Sequence, residues 1–174
     1  MATWKIDPMH SEIQFKVKHL MISNVTGSFG MFEAQIESEN DTFENANINF
    51  SAQTNSISTG NEQRDTHLKS ADFFESEVYP QLTFSSTSFE KKGEDIYELK
   101  GELTIKDVTK PVVLQVELGG EMVDPYGQQK VGFDIQGVIK RKEFGLTWDA
   151  VTEAGGVVVS DDVKLIMNVQ FVKQ

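Results

Sequence analysis

Three observations predict an all-β protein built as one tall antiparallel barrel. Apolar and polar residues alternate along most of the chain, several of these rows are unusually long, and turn-forming residues fall between them. A period of two puts successive side chains on opposite faces of a strand, whereas a period of 3.6 marks one face of a helix. Ile13, Phe15 and Val17 alternate with Glu12, Gln14, Lys16 and Lys18, and Ala46, Ile48, Phe50 and Ala52 alternate with Asn45, Asn47, Asn49 and Ser51. Such segments are strands with one wet face.

The same pattern continues along the chain. Leu82 and Phe84 fall in 81–89; Tyr97, Leu99, Gly101, Leu103 and Ile105 in 96–106; Val112, Leu114, Val116 and Leu118 in 111–119. Val131, Phe133, Ile135, Gly137 and Ile139 follow in 130–141, and Val163, Leu165, Met167, Val169 and Phe171 in 162–172. Segment 25–38 breaks strict alternation, because Phe29 and Phe32 are three apart with Gly30 between them. It reads as one bulged strand. Turns are expected at Lys92–Glu94, Asp107–Lys110 and Asp124–Gly127, and the prolines at strand boundaries or turns, where no ladder hydrogen bond is lost.

Residues 61–77 carry no alternating row and are bounded by Gly60 and Pro80. They predict a short helix over 61–68 and a second helical turn over 71–75. Neither a repeat nor a linker interrupts the chain, so residues 1–174 read as a single domain.

Eight or nine strands with one wet face must hide the other, by pairing two sheets or by closing one. Runs of about 10–13 residues, against about 5–6 in an average strand, favour a tall barrel. The inward rows hold small residues (Gly101, Gly137, Ala46, Ala52, Ser86) among phenylalanines. Two readings follow: a lumen lined by phenylalanine and opened by the small residues, or kinks around an ordinary core. Twelve phenylalanines against two tryptophans and three tyrosines suit a lumen for an apolar guest, since their rings carry no polar tip.

Composition narrows the partners. Sixteen basic and twenty-seven acidic residues give a net charge of −11, which repels phosphate backbones and argues against nucleic acid. No run approaches the length of a membrane span, so membrane insertion is not expected. The absence of cysteine excludes disulfides and thiolate metal sites. As the sequence stands, its start lacks the apolar core of an export signal and the expectation is cytoplasmic; with such a signal removed, it is periplasmic.

The candidate chemistry is sparse. His10, His19 and His67 show no paired spacing of the kind zinc requires, so neither metal nor cofactor is expected. His19 continues the inward row of Ile13, Phe15 and Val17 and stands either as a head-group partner or as a structural histidine. Arg64, Asp65 and His67 crowd one polar segment, as an acid–base cluster or as structural ion pairing; no G-x-S-x-G motif accompanies them. Lys140-Arg141-Lys142 is a dense basic run, read either as a solvated turn or as a cationic rim for an anionic head group.

The motifs in order carry a resemblance. Trp4-x-Ile6-Asp7-x-x-His10-Ser11-x-Ile13-x-Phe15-x-Val17-x-His19 is similar to the start of the YceI-like family. Gly27-x-Phe29-x-x-Phe32, Ile57-x-Thr59-Gly60, Arg64-Asp65-x-His67-Leu68, Asp72-Phe73-Phe74, Tyr79-Pro80-x-Leu82-x-Phe84 and Arg141-x-x-Phe144-Gly145 continue it over nearly the whole chain. The resemblance implies an extended eight-stranded, lipocalin-like barrel with a helical insertion around 61–75, binding a polyisoprenoid or related long-chain amphiphile in a central tunnel.

The expected function is therefore non-catalytic binding or carriage of a long-chain apolar molecule: a polyisoprenoid, an isoprenoid quinone or a fatty-acid-like amphiphile. Alternation assigns the tunnel lining or head-group contacts to Phe15, Val17, His19, Phe29, Phe32, Ile48, Phe50, Phe84, Leu103, Leu114, Phe133, Ile135, Met167 and Arg141. Two other classes compete. One is an enzyme acting on an apolar substrate with His19 or His67 in proton transfer; the other is an interaction module whose strand edges form a homodimer.

Overall fold

The computed structural model describes residues 2–20, 22–39, 42–149 and 159–174. Its strands are β1 (Ala2–Ile6), β2 (Glu12–His19), β3 (Ser23–Phe29), β4 (Phe32–Ser38), β5 (Asn47–Gln53) and β6 (Ile57–Ser58), then β7 (Gln81–Gly93), β8 (Ile96–Ile105), β9 (Val108–Val123), β10 (Gln129–Lys140) and β11 (Asp162–Lys173). One helix, α1 (Glu62–Leu68), stands between β6 and β7. All pairings are antiparallel, and β1 meets both β4 and β11, which closes the sheet into an eight-stranded barrel.

Eleven strands make eight staves because three staves are interrupted. β1 and β2 run in line along β11: Trp4–Ile6 face Phe171–Lys173, and Glu12–Lys16 face Lys164–Asn168. Between them Pro8, which has no N–H, starts a short 3-10 turn over Pro8–His10. The Asp7 carboxylate caps this turn, accepting from the Met9 amide at 3.1 Å.

The bulge expected at Gly30 is a full break that divides 25–38 into β3 and β4. The neighbouring stave breaks at the same level, through a 3-10 turn over Thr54–Ser56. Across the gap, the Gly30 amide donates to the Ser56 carbonyl at 3.1 Å and the Met31 amide to Ser56 Oγ at 3.1 Å. Two interrupted strands thus satisfy each other's freed backbone groups.

Two further expectations are corrected. Residues 71–75 form successive turns, not a helical turn: Phe73 and Glu75 both donate to the Ser70 carbonyl, and Glu75 takes a φ of +48°. Pro111 lies inside β9 opposite Glu102 of β8, not at a boundary. It is tolerated because β9 pairs with β10 only from Gln115 onward, which leaves one side of Pro111 without a ladder. Among the described residues no helix is long and apolar enough to cross a membrane.

The inward rows fill the two ends of the barrel differently. At the end where β1 begins and β11 finishes, Trp4, Phe43, Phe89, Tyr97, Phe133 and Phe171 are buried against one another. Ring centroids lie 5.4 Å apart for Trp4 and Phe43, 5.3 Å for Phe43 and Phe133, and 4.8 Å for Phe89 and Tyr97. Such spacings are those of favourable aromatic pairs. At the opposite end α1 and the turns after it lie over the barrel.

Candidate functional site

Between the aromatic end and α1 the barrel holds a cavity of about 310 Å³. Its walls are the inward rows of nearly every stave, and all five inward residues of β11, from Val163 to Phe171, face it. The ionisable lining groups His19, Arg64, His67 and Arg141 belong to the end of β2, to α1 and to the 3-10 turn that follows β10. They therefore gather at one mouth.

The structure brings Phe15, Val17, His19, Phe29, Ile48, Phe50, Phe84, Leu103, Leu114, Ile135, Met167 and Arg141 to this cavity. Phe32 and Phe133 do not line it. Phe133 is 4% exposed and belongs to the aromatic end, with its ring 6.2 Å from that of Phe171. Phe32, opposite Ala52 at the start of β4, packs on the core outside the cavity. Alternation identifies the face of a strand but not the depth at which space ends.

Two of the small residues, Gly101 and Gly137, have a specific part in the wall. A Cβ on Gly101 would stand 2.4 Å from Phe84 Cζ, and one on Gly137 would stand 2.4 Å from Leu114 Cδ2. Each of these glycines lies under a large side chain from the neighbouring stave. At Gly101 the missing Cβ lets the Phe84 ring lie along the wall, over glycine backbone.

The mouth is built by α1 and the segments that follow it. Asn61 caps α1 by accepting from the Arg64 amide at 2.9 Å. Thr59 ties the segment together: its hydroxyl donates to Asp65 Oδ1 at 2.6 Å and accepts from Arg64 Nε at 2.7 Å, while Arg64 Nη2 donates to the Thr59 carbonyl at 2.9 Å. Arg64 and Asp65 thus serve the fold of the insertion. His67 Nε2 lies 2.8 Å from Asp72 Oδ2, and the imidazole meets the rings of Phe73 and Trp148 edge-on at 5.1 and 4.8 Å.

Arg141 is 3% exposed, and its guanidinium donates to backbone carbonyls. Nε donates to the Ser160 carbonyl at 2.9 Å, Nη1 to those of Leu146 and Trp148, both at 2.7 Å, and Nη2 to that of Val159 at 3.1 Å. Its planar fork suits four carbonyls as a single ammonium could not. Lys140 pairs with Asp162, and Lys142 with Asp149 at 2.9 Å. Through these contacts the basic run pins the chain at the mouth.

Sequence reasoning did not select Phe43, Phe73, Phe74 or Trp148. Phe74 lies edge-on to Phe29 at 5.9 Å and forms part of the cavity lining with Phe73 and Trp148. None of them belongs to an alternating row, so period two carries no signal for them. Among the described residues no group of three or more His, Cys, Asp or Glu is placed to hold a metal ion.

Against known proteins, the YceI-like domain model matches residues 4–171. The chain belongs to the YceI-like domain family. A UPF0312 protein of Pectobacterium atrosepticum is 39% identical over 99% of this chain and 88% of its own length. The solved YceI protein of Campylobacter jejuni superposes with a TM-score of 0.78 at 34% identity, covering 90% of each chain. A domain from Saccharophagus degradans, described as polyisoprenoid-binding and implicated in plant cell wall breakdown, superposes at 0.73 over 98% of each chain; at 16% identity it attests the fold. Within this YceI-like barrel the cavity, the aromatic end and the mouth above α1 are the features on which a function can be built.

Proposed function

We propose that this YceI-like barrel is a non-catalytic carrier that holds the tail of a long-chain apolar molecule, of the polyisoprenoid or fatty-chain class, in its cavity. The observation that carries this reading is a cavity of about 310 Å³ walled by apolar side chains, with its ionisable groups gathered at one mouth. That volume lies in the usual range for small-molecule sites. The polarity gradient matches an amphiphile whose tail is buried and whose head lies among His19, Arg64 and His67. The description of the Saccharophagus domain as polyisoprenoid-binding supports the same class of guest.

Binding would draw on apolar burial at about 25 cal/mol per Å² removed from water. Native mass spectrometry of the purified protein, followed by organic extraction, is expected to recover a long-chain guest. A barrel that is empty as purified, and that takes up neither polyprenyl nor fatty-chain probes, would sink the proposal.

The 2.8 Å contact of His67 with Asp72 favours a second reading, in which the imidazole moves a proton on an apolar substrate. Under that reading His67→Ala abolishes formation of a product from the extracted guest. Under the carrier reading the guest leaves the protein chemically unchanged, with or without His67.

A further inference from the structure

Resting on the carrier reading, we infer that the aromatic end of the barrel is a length stop, with Phe133 at its centre, and that it sets how much tail the cavity accepts. The Phe133 ring contacts three others: Phe43 at 5.3 Å, Phe89 at 6.3 Å and Phe171 at 6.2 Å. Phe171 lines the cavity while Phe133, Phe89 and Phe43 do not, so the space ends at the Phe171–Phe133 contact. Phe89 is 1% exposed and Phe43 is 3% exposed, so both rings are packed away from solvent beneath Phe133. Phe43 reaches this position from the segment between β4 and β5, which is held by the Asn45 amide donating to the Phe89 carbonyl at 2.8 Å. The stopper is therefore tied to the staves it closes.

The stop fixes a length. From Val163 to Phe171 the inward row of β11 covers eight residue steps. At about 3.4 Å per residue that is about 27 Å of strand. With a stave tilt of about 40° it corresponds to about 20 Å along the barrel axis. An extended hydrocarbon with bonds of about 1.5 Å advances about 1.3 Å per carbon, so the row spans a tail of about sixteen carbons. A polyisoprenoid, with about four backbone carbons per unit, would bury about four units in extended form. Carbons beyond that limit stay at the mouth and add nothing to affinity.

The experiment is a competition. The intact protein is mixed with equimolar saturated primary alcohols of about ten to twenty-six carbons, and relative occupancy is read by native mass spectrometry. Occupancy is expected to rise about fourfold per added methylene and to level off near about sixteen carbons. Phe133→Leu and Phe43→Ala are expected to move the plateau to longer chains by about two to four carbons, because each withdraws part of the stopper. Val169→Phe, which adds a ring to the wall just above Phe171, is expected to move it to shorter chains by a similar amount. If either stopper variant fails to fold, the other and Val169→Phe still decide the matter. Alcohols that bind with no plateau, or with a plateau that these variants leave in place, would overturn the stop while leaving the carrier intact. Alcohols that bind at no length would overturn both.

Discussion

Phe15 and Gly27 face each other across β2 and β3, and the Phe15 ring occupies the place where a side chain on Gly27 would begin: a Cβ there would lie 2.2 Å from Phe15 Cζ. The ring can lie along the wall only because its partner has no side chain. The same device recurs at Gly101 under Phe84, with one difference. Around Gly101 the Ser85 carbonyl also stands 2.5 Å from the added Cβ, so backbone as well as ring would have to move.

That difference predicts a divergence between two similar variants. Gly27→Ala pushes the free end of the Phe15 ring toward the cavity, and the cost is offset in part by the roughly 0.5–1 kcal/mol that alanine gains over glycine in a strand. Stability is expected to change little while probe uptake falls. Gly101→Ala must displace a carbonyl and is expected to destabilise the barrel by about 1–3 kcal/mol, as overpacked cores do. Urea midpoints and fluorescent-lipid titrations of the two variants check both halves.

Arg141 makes a second prediction, because its guanidinium donates to the carbonyls of Leu146, Trp148, Val159 and Ser160. Arg141→Lys strands several of these acceptors and is expected to cost about 3 kcal/mol, the scale of losing charge-assisted hydrogen bonds at a buried site. A loss in urea stability with the affinity for neutral alcohols unchanged would support the structural role. An unchanged midpoint would refute it.

The turn between β1 and β2 has a pH signature. The Asp7 carboxyl is held below the ordinary aspartate value, first by its hydrogen bond with His10 and then by the Met9 amide and the charges of His10 and Lys130, against the opposing effect of burial. A carboxyl depressed in the folded state contributes stability above its unfolded value and loses it as pH falls through the folded one. Asp7→Asn is therefore expected to lower the thermal midpoint at neutral pH. Below the ordinary carboxylate range the gap between variant and parent should close. A gap that is constant with pH would show that the charge has no part in it.

Ligand removal provides a fourth test. A guest that binds only the folded barrel, at about one hundred times its Kd, adds about 2.7 kcal/mol. For a chain of this size that is about 5–10 °C in Tm. Organic extraction is expected to lower Tm by about that amount, and re-addition of a long-chain alcohol to restore it.

How far the sequence could be read differs between wall and ends. Alternating rows such as Val163 to Phe171 announce an inward face because side-chain direction in a strand is a local, two-residue property. Phe133 sits in an equally regular row and yet belongs to the stopper, because depth along the barrel axis depends on register against β9 and β11. Phe43 and Trp148 lie in segments without period, and only the closed sheet brings them to its two ends.

Taken alone, and apart from β1, β6 and the break between β3 and β4, the sequence determined the long strands, their wet and dry faces, the helix near residue 62 and, through its ordered motifs, the family. Each of these is set by local backbone preference or by residue order. Only the tertiary structure decided where the cavity stops, that glycines lie beneath its rings, and which backbone carbonyls Arg141 binds. Those facts depend on contacts between residues far apart in sequence, and no local pattern encodes which stave a side chain will meet.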